Sequence, residues 1–214
     1  MNITIIGSGN MGRGIGTRAV AGGHSVTFVD ANLEVAEKAA ADVKAAAKNG
    51  ATTSASSLGD AVLGDVVVLA VWYGTNIEIA KQLGTKLAGK VVVDIANPLN
   101  STYDGLATAA DSSSAEDLAK AIASGAKVVK AFNTTYAGTL IAGEVAGQKL
   151  DVFIAGDDAD AKAKVAQLVT DGGLRAVDAG PLSRARQIEG MQLLHIVLQG
   201  TLGTNWGSAL KILG

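Results

Sequence analysis

The sequence predicts an α/β fold: a doubly wound, mostly parallel sheet with extra strands and a short helical appendage at the C-terminus. Three observations carry this. Apolar runs of strand length, such as "ITIIG", "DVVVLAV" and "KVVVDIA", alternate with alanine-rich helical stretches over residues 1–180. These runs are nearly continuous in apolar residues, as expected of strands covered on both faces by helices. A glycine-rich turn, "GSGNMG" at 7–12, joins the first strand to the first helix, the context in which such a turn carries chemistry.

The elements follow in order. "ITIIG" (3–7) is the first strand, and its helix runs to about Val20, stopped by Gly22-Gly23. "SVTFVD" (25–30) is the second strand. Asn32 is placed to cap the strong helix former "NLEVAEKAAADVKAAAK". "ATTSAS" (51–56) reads as a weak third strand and "DVVVLAV" (65–71) as a buried fourth. "TNIEIAKQL" opens on a capping box, Thr75 to Glu78. "KVVVDIA" (90–96), a serine-rich loop, a short helix near 115–123 and "KVVKAFN" (127–133) come next. "DVFIAG" (151–156), a helix over 158–171 and "LRAVDAG" (174–180) complete the sheet. Residues 1–180 are thus expected to form a dinucleotide-binding domain. Residues 181–214 contain no strand, and their apolar positions run almost all round a helix. Such a helix is buried on more than one side, against its own chain or against a second subunit.

Composition bounds the function. The 214 residues are 48% hydrophobic, and the formal net charge is −2 without a basic block, which argues against nucleic acid. The absence of cysteine excludes disulfides, thiol nucleophiles and cysteine-ligated clusters. The two histidines, His24 and His195, show no metal-ligand spacing, so no metal site is expected. The chain begins directly on a strand, with no secretory signal ahead of it. Its longest apolar run, 66–73, is too short to cross a bilayer as a helix. A cytoplasmic protein without a membrane partner is expected.

The turn Gly7-Ser8-Gly9-Asn10-Met11-Gly12 fits G-x-G-x-x-G. Gly7 permits the tight turn, Gly9 admits a pyrophosphate against the backbone, and Gly12 lets helix and strand pack closely, with Gly16 extending that small face. The free N–H groups of the helix start bind the phosphates. Asp30 ends the second strand 18 residues after Gly12. That spacing suits a carboxylate on the adenosine ribose hydroxyls and, beside Ala31, favours NAD(H) over NADP(H). The other reading of Asp30 is an N-cap.

Ligands in such sheets lie outside the carboxyl ends of the strands. The fourth strand ends at Val71, Trp72 and Tyr73, the fifth at Asn97 and Pro98, the sixth at Asn133 and Thr134, all candidates for the cofactor or the reaction. The two aromatics suggest a wall for a flat ligand, or ordinary loop packing. Asn97 and Asn133 are candidates for the nicotinamide carboxamide or a substrate, or for strand-end turns. His195 lies in an apolar helix and reads as a core or interface histidine or as a catalytic acid. Arg184 and Arg186 are a solvated face or an anion site. The candidates for catalysis are therefore Asn133, Thr134, Tyr73 and His195. Neither a Ser-x-x-x-Lys nor a Tyr-x-x-x-Lys set stands at a strand end, so an acceptor needing only hydride and stacking suits the site best.

"TIIGSGNMGRGIG", "VVVDIANPL", "VVKAFNTT" and "VDAGPLSRARQIE" together resemble the family of NADPH:coenzyme F420 (8-hydroxy-5-deazaflavin) oxidoreductases and related bacterial dinucleotide-binding proteins. The resemblance spans essentially the whole chain. It implies a Rossmann domain with extra strands and a small helical C-terminal part, usually dimeric. It also implies direct hydride transfer between NAD(P)H and a deazaflavin. NADP-using members carry a small hydroxyl residue and a basic residue where this chain has Asp30 and Ala31, and some members have histidine at the position of Asn133. The function expected is a nicotinamide-dependent oxidoreductase passing hydride to a small-molecule acceptor, a deazaflavin or flavin. The alternatives are a reductase of a small carbonyl or imine, with Tyr73, Tyr136 or His195 as proton donor, and a non-catalytic NAD(H)-sensing module. A homodimer through the C-terminal helices is expected.

Overall fold

The computed structural model describes residues 1–122 and 124–213. Ten strands and seven α-helices are described: β1 (Asn2–Ile6), α1 (Asn10–Ala21), β2 (Ser25–Val29), α2 (Leu33–Lys44), β3 (Thr53–Ser56), β4 (Val66–Leu69), α3 (Thr75–Leu83), β5 (Val91–Asp94), α4 (Ser114–Ala121), β6 (Lys127–Lys130), α5 (Ala137–Ala142), β7 (Glu144–Val145), β8 (Gln148–Lys149), β9 (Asp151–Gly156), α6 (Ala159–Asp171), β10 (Arg175–Gly180) and α7 (Ala185–Leu202).

Eight strands form one sheet in the order β10-β9-β6-β5-β4-β1-β2-β3. Within it, β3-β2-β1-β4-β5-β6 is the doubly wound order of dinucleotide-binding folds, all parallel, with its switch point between β1 and β4. The extra strands join at one edge. β9 pairs antiparallel with β6, and β10 pairs parallel with β9. Every residue of β4 and β5 is buried, as their unbroken valine runs predict. Side chains of alternate strand residues build two cores. Ile3, Ile5, Phe28 and Val68 face α1, α2, α5 and α6, and Ile6, Val29, Leu69 and Val92 face α3 and α4. Gly16 lets α1 close on β2, because a Cβ there would sit 2.4 Å from the Phe28 ring.

Four expectations change. The Thr75–Glu78 capping box does not form; Gly74 is the N-cap of α3 and makes no side-chain cap. Thr75 is therefore already inside the helix and too late to cap it, and Asn76 beside it is fully buried and bonded to Asp94 and Ser114. The helix expected near 115–123 ends at Ala121, and residue 123 lies outside the described residues. The sixth strand, expected over 127–133, ends at Lys130, and residues 134–150, unassigned from the sequence, hold α5 and the β7–β8 hairpin; α5 is only six residues long and ends on a left-handed Gly143. The C-terminal part is one long helix, not several, followed by an irregular tail over 203–213. Beyond its first turn α7 turns Glu189, Gln192, His195 and Gln199 inward and leaves Leu194, Val197 and Leu202 exposed. Its apolar positions run round most of its circumference, as the sequence indicates: Ile188 is buried, Met191, Leu193, Ile196 and Leu198 are half-buried, and only Leu194, Val197 and Leu202 stand exposed. Among the described residues no helix is long and apolar enough to cross a membrane.

The tail is fastened by Asp151, whose carboxylate is fully buried. Arg175 bonds it through Nε at 2.7 Å and also through Nη2, Lys211 Nζ lies at 2.7 Å, and the Ile212 N–H donates to it at 2.9 Å. Burial pushes this carboxyl up, but those donors outweigh it and bring it down from 3.8 to about 2. A depressed carboxylate stabilises the fold above its unfolded value and loses that contribution as pH falls toward about 2. Asp151→Asn is expected to lower stability at neutral pH by about 1–3 kcal/mol. It should also flatten the decline of stability between pH about 4 and 2. Denaturant titrations at several pH values check both; parallel curves for the two proteins would contradict the assignment.

Candidate active site

The glycine turn is built by packing on two sides and left open on the third. Gly7 has φ +101°, and a Cβ on it would lie 2.3 Å from the Ala70 carbonyl oxygen. A Cβ on Gly12 would lie 2.1 Å from the carbonyl oxygen of Gly7. These two glycines are required by the chain itself. Gly9 is different. Its φ of −71° suits any residue, and a Cβ there would meet nothing within 4 Å. Gly9 also caps α1 without a side-chain hydrogen bond, and the first turn of α1 carries no acidic residue. The free N–H groups at this helix start and the open space above Gly9 fit a pyrophosphate.

Asp30 closes the turn from β2. Its Oδ2 accepts from the Ser8 N–H at 2.8 Å and its Oδ1 from the Asn32 N–H at 3.2 Å. Asn32, not Asp30, caps α2, accepting from the Glu34 N–H at 3.0 Å. The carboxylate thus holds the loop, and each of its oxygens accepts a single backbone N–H. Ala31 is exposed beside it.

At the ends of β5 and β6 the two asparagines lock together. Asn97 Nδ2 donates to the Asn133 carbonyl at 3.0 Å, and Asn133 Nδ2 donates to Asn97 Oδ1 at 2.9 Å. Pro98 is buried behind Asn97. Asn133 Oδ1 and Thr134 Oγ1 are buried without a partner. Phe132, between Lys130 and this pair, holds φ +64° while fully packed, an uncommon conformation for a bulky residue. Two buried oxygens without partners and an uncommon backbone conformation thus occur together at the ends of β5 and β6.

Beside the glycine turn lies a cleft of about 720 Å³, lined by Asn10 and Met11, by Tyr136 and Thr139, and by Val145 and Trp206 among others. Tyr136 and Trp206 are its aromatic residues. The Tyr136 ring stands edge-on to Trp206 at 5.2 Å and lies against His195 at 4.7 Å, tilted by 36°. Its hydroxyl is buried and makes no hydrogen bond. Burial lifts its pKa to about 12; the neighbouring Gln192 and Gln199 amides, though outside hydrogen-bond geometry, offset part of that. Ala146, Asn205 and Trp206, all lining this cleft, have φ of 52°, 47° and 62°. His195 bonds Gln192 Oε1 at 3.1 Å and Ser208 Oγ at 2.8 Å, and burial keeps its pKa below the usual imidazole range. It is a neutral, bonded histidine that backs Tyr136.

The other expected residues lie elsewhere. Trp72 is 80% exposed, and Tyr73 donates its hydroxyl to Asp117 Oδ2 at 3.0 Å. Neither lines the large cleft, whose aromatic wall is Tyr136 and Trp206. Val71 packs at the end of β4 against Gly7. Arg186 donates to the carbonyls of Ala109 and Ser112 at 2.7 and 2.8 Å, so it fastens a loop, while Arg184 is exposed at the start of α7. Trp206 had no signal in the sequence, since the tail returns to the first turn of α1 only through folding.

Comparison with known proteins shows the family. Residues 2–98 match the family model for NADP oxidoreductase, coenzyme F420-dependent. The F420-dependent NADP reductase of Methanocaldococcus jannaschii is 32% identical over 210 residues, 92% of each chain. The chain belongs to this family. It is an NAD(P)-dependent oxidoreductase. A crystal structure of an F420-dependent NADP-reductase candidate from Arthrobacter sp. FB24 superposes with a TM-score of 0.81 at 31% identity over 99% of both chains. Metalloreductase STEAP3 of Rattus norvegicus is 29% identical over 89% of this chain, which spans only 36% of that longer protein.

Proposed function

We propose that this chain moves hydride between a nicotinamide dinucleotide and a flat electron carrier, a deazaflavin such as coenzyme F420 or a flavin. The observation that carries the reading is the cleft joined to the glycine turn, with Met11 on one side and Tyr136 and Trp206 on the other. A planar ring stacks on such a wall. When bound, the reduced nicotinamide supplies the hydride. The chain's own part is positional. The start of α1 binds the pyrophosphate, Asp30 the adenosine ribose, and Asn133 Oδ1 accepts from the carboxamide. The aromatic pair and the tail exclude water from the ring. No acid or base is required for hydride transfer to a deazaflavin, which fits a site whose histidine is neutral and already bonded. The free Tyr136 hydroxyl favours a second reading, reduction of a small carbonyl or imine with Tyr136 as proton donor. Oxidation of NADH against deazaflavin, flavin, ketone and imine acceptors separates the two. Tyr136→Phe is expected to leave deazaflavin reduction within about threefold and would abolish ketone or imine reduction.

Residues 1–180 form the dinucleotide-binding unit in this reading, and 181–214 serve packing and dimerisation. The exposed stripe of Leu194, Val197 and Leu202 on α7 suits a second copy of the chain. Light scattering is expected to give a dimer, and Leu194→Glu with Val197→Glu a folded monomer. A monomeric wild-type protein at micromolar concentration would contradict it. Cytoplasmic residence accords with a soluble acceptor.

A further inference from the structure

A cluster of charged side chains beneath the site is left unused by the function above. Lys130, Asp94 and Glu189 have no exposed side-chain surface. Lys130 Nζ lies 2.9 Å from Asp94 Oδ2 and 2.7 Å from Glu189 Oε1, and it also donates to the Ala96 carbonyl. All three of its protons are used. Asp94 Oδ1 accepts from Asn76 Nδ2 at 2.9 Å and from the Ala96 N–H at 3.1 Å. Glu189 accepts from the Ser114 N–H at 3.1 Å. Two carboxyl groups thus face one ammonium; burial pushes Glu189 up from the usual carboxylate range, Asp94 adds to that, and Lys130 and the Ser114 N–H at the start of α4 draw it back.

Such a cluster is a poor way to gain net stability, because well-packed apolar residues commonly do as well or better. Its placement suggests geometry instead. Asp94 ends β5 three residues before Asn97, and Lys130 ends β6 three residues before Asn133. The ammonium therefore clamps the roots of the two loops whose asparagines interlock above it. Through Glu189 it also ties them to α7, the helix that carries His195 one turn and a half further on.

We propose that Lys130 is a positioning residue for the nicotinamide end of the site. Its bonds to Asp94, Ala96 and Glu189 set the spacing at which Asn97 and Asn133 lock and Asn133 Oδ1 is presented to the ligand. The proposal rests on the dinucleotide reading above. It separates two halves of one ligand, since the glycine turn and Asp30 lie on other strands and do not depend on the clamp.

Calorimetric titration with NADH and with ADP-ribose, which lacks the nicotinamide, tests it on wild-type protein, Lys130→Met and Glu189→Gln. Lys130→Met is expected to weaken NADH about tenfold or more while ADP-ribose changes less than about threefold. Glu189→Gln should move the ratio of the two affinities in the same direction, by about threefold. Leu168→Ala, a core truncation in α6 on the other face of the sheet, should lower the melting temperature and leave the ratio unchanged. If Lys130→Met does not fold, the ratio in Glu189→Gln decides. NADH and ADP-ribose weakening together, an unchanged ratio in the folded variants, or an equal shift in Leu168→Ala would overturn the proposal. Wild-type protein that binds neither ligand would instead overturn the dinucleotide reading on which it stands.

Discussion

Gly9→Val is expected to abolish dinucleotide binding while the protein stays folded. The backbone of Gly9 is in a region open to any residue, and a Cβ meets no protein atom within 4 Å. The isolated chain therefore has little reason to require glycine there, and a valine should cost the fold well under about 1 kcal/mol apart from its effect at a helix cap. The side chain would fill the space above the helix start where a pyrophosphate approaches the backbone. A loss of at least about 100-fold in affinity, or about 2.7 kcal/mol, is expected. Gly7→Val and Gly12→Val give the contrast. Their Cβ atoms would sit 2.3 and 2.1 Å from carbonyl oxygens, so these variants should fail by unfolding. Calorimetric titration with thermal melts distinguishes the cases. Wild-type affinity in Gly9→Val would mean that the turn serves only the fold.

The second large effect concerns the choice of dinucleotide. The protein is expected to prefer NADH to NADPH by about tenfold or more, and Asp30→Ser with Ala31→Arg to reverse that preference. The Asp30 carboxylate is fixed by the Ser8 and Asn32 N–H groups, so it cannot swing away from a ligand without releasing the glycine turn. A 2′-phosphate beside it adds nearly two negative charges. Each unit-charge repulsion is about 4 kcal/mol at about 4 Å and an effective dielectric near about 20, before relaxation and screening. Cations that might offset it are engaged: Lys38 bonds Asp42 at 3.1 Å and Arg13 lies 3.6 Å from the same carboxylate. The relatives from methanogens are named NADP reductases, so this prediction sets the residues at one position against the naming of the family. Ratios of kcat/KM for the two cofactors with one acceptor check it; equal values or a preference for NADPH would remove Asp30 from the role.

The sheet was legible because its strands are runs of β-branched residues too apolar to face water, and because Gly7-Ser8-Gly9-Asn10-Met11-Gly12 stands where such a turn must stand. Asn97 and Asn133 were legible as strand-end residues, but not as a pair, since their contact spans 36 positions. Lys130 and Glu189 were overlooked because lysine and glutamate are ordinarily surface residues. The signal was present nonetheless: a lysine inside "VVKAF", a run read as buried on both faces, requires a buried partner. The polar inner stripe of α7 was hidden by its apolar neighbours. Trp72 and Tyr73 are legible as strand-end aromatics, whereas the Tyr136–Trp206 pair that lines the cleft meets only once α5 and the tail close over the first turn of α1.

The most direct test of the central claim is the fate of the hydride. With NADH deuterated at the transferred position and an oxidised deazaflavin as acceptor, the label is expected at the carbon of the reduced deazaflavin that receives the hydride, with a primary isotope effect on a single turnover. Turnover of a simple ketone or imine, with no label entering deazaflavin and no flavin reduced, would contradict the account.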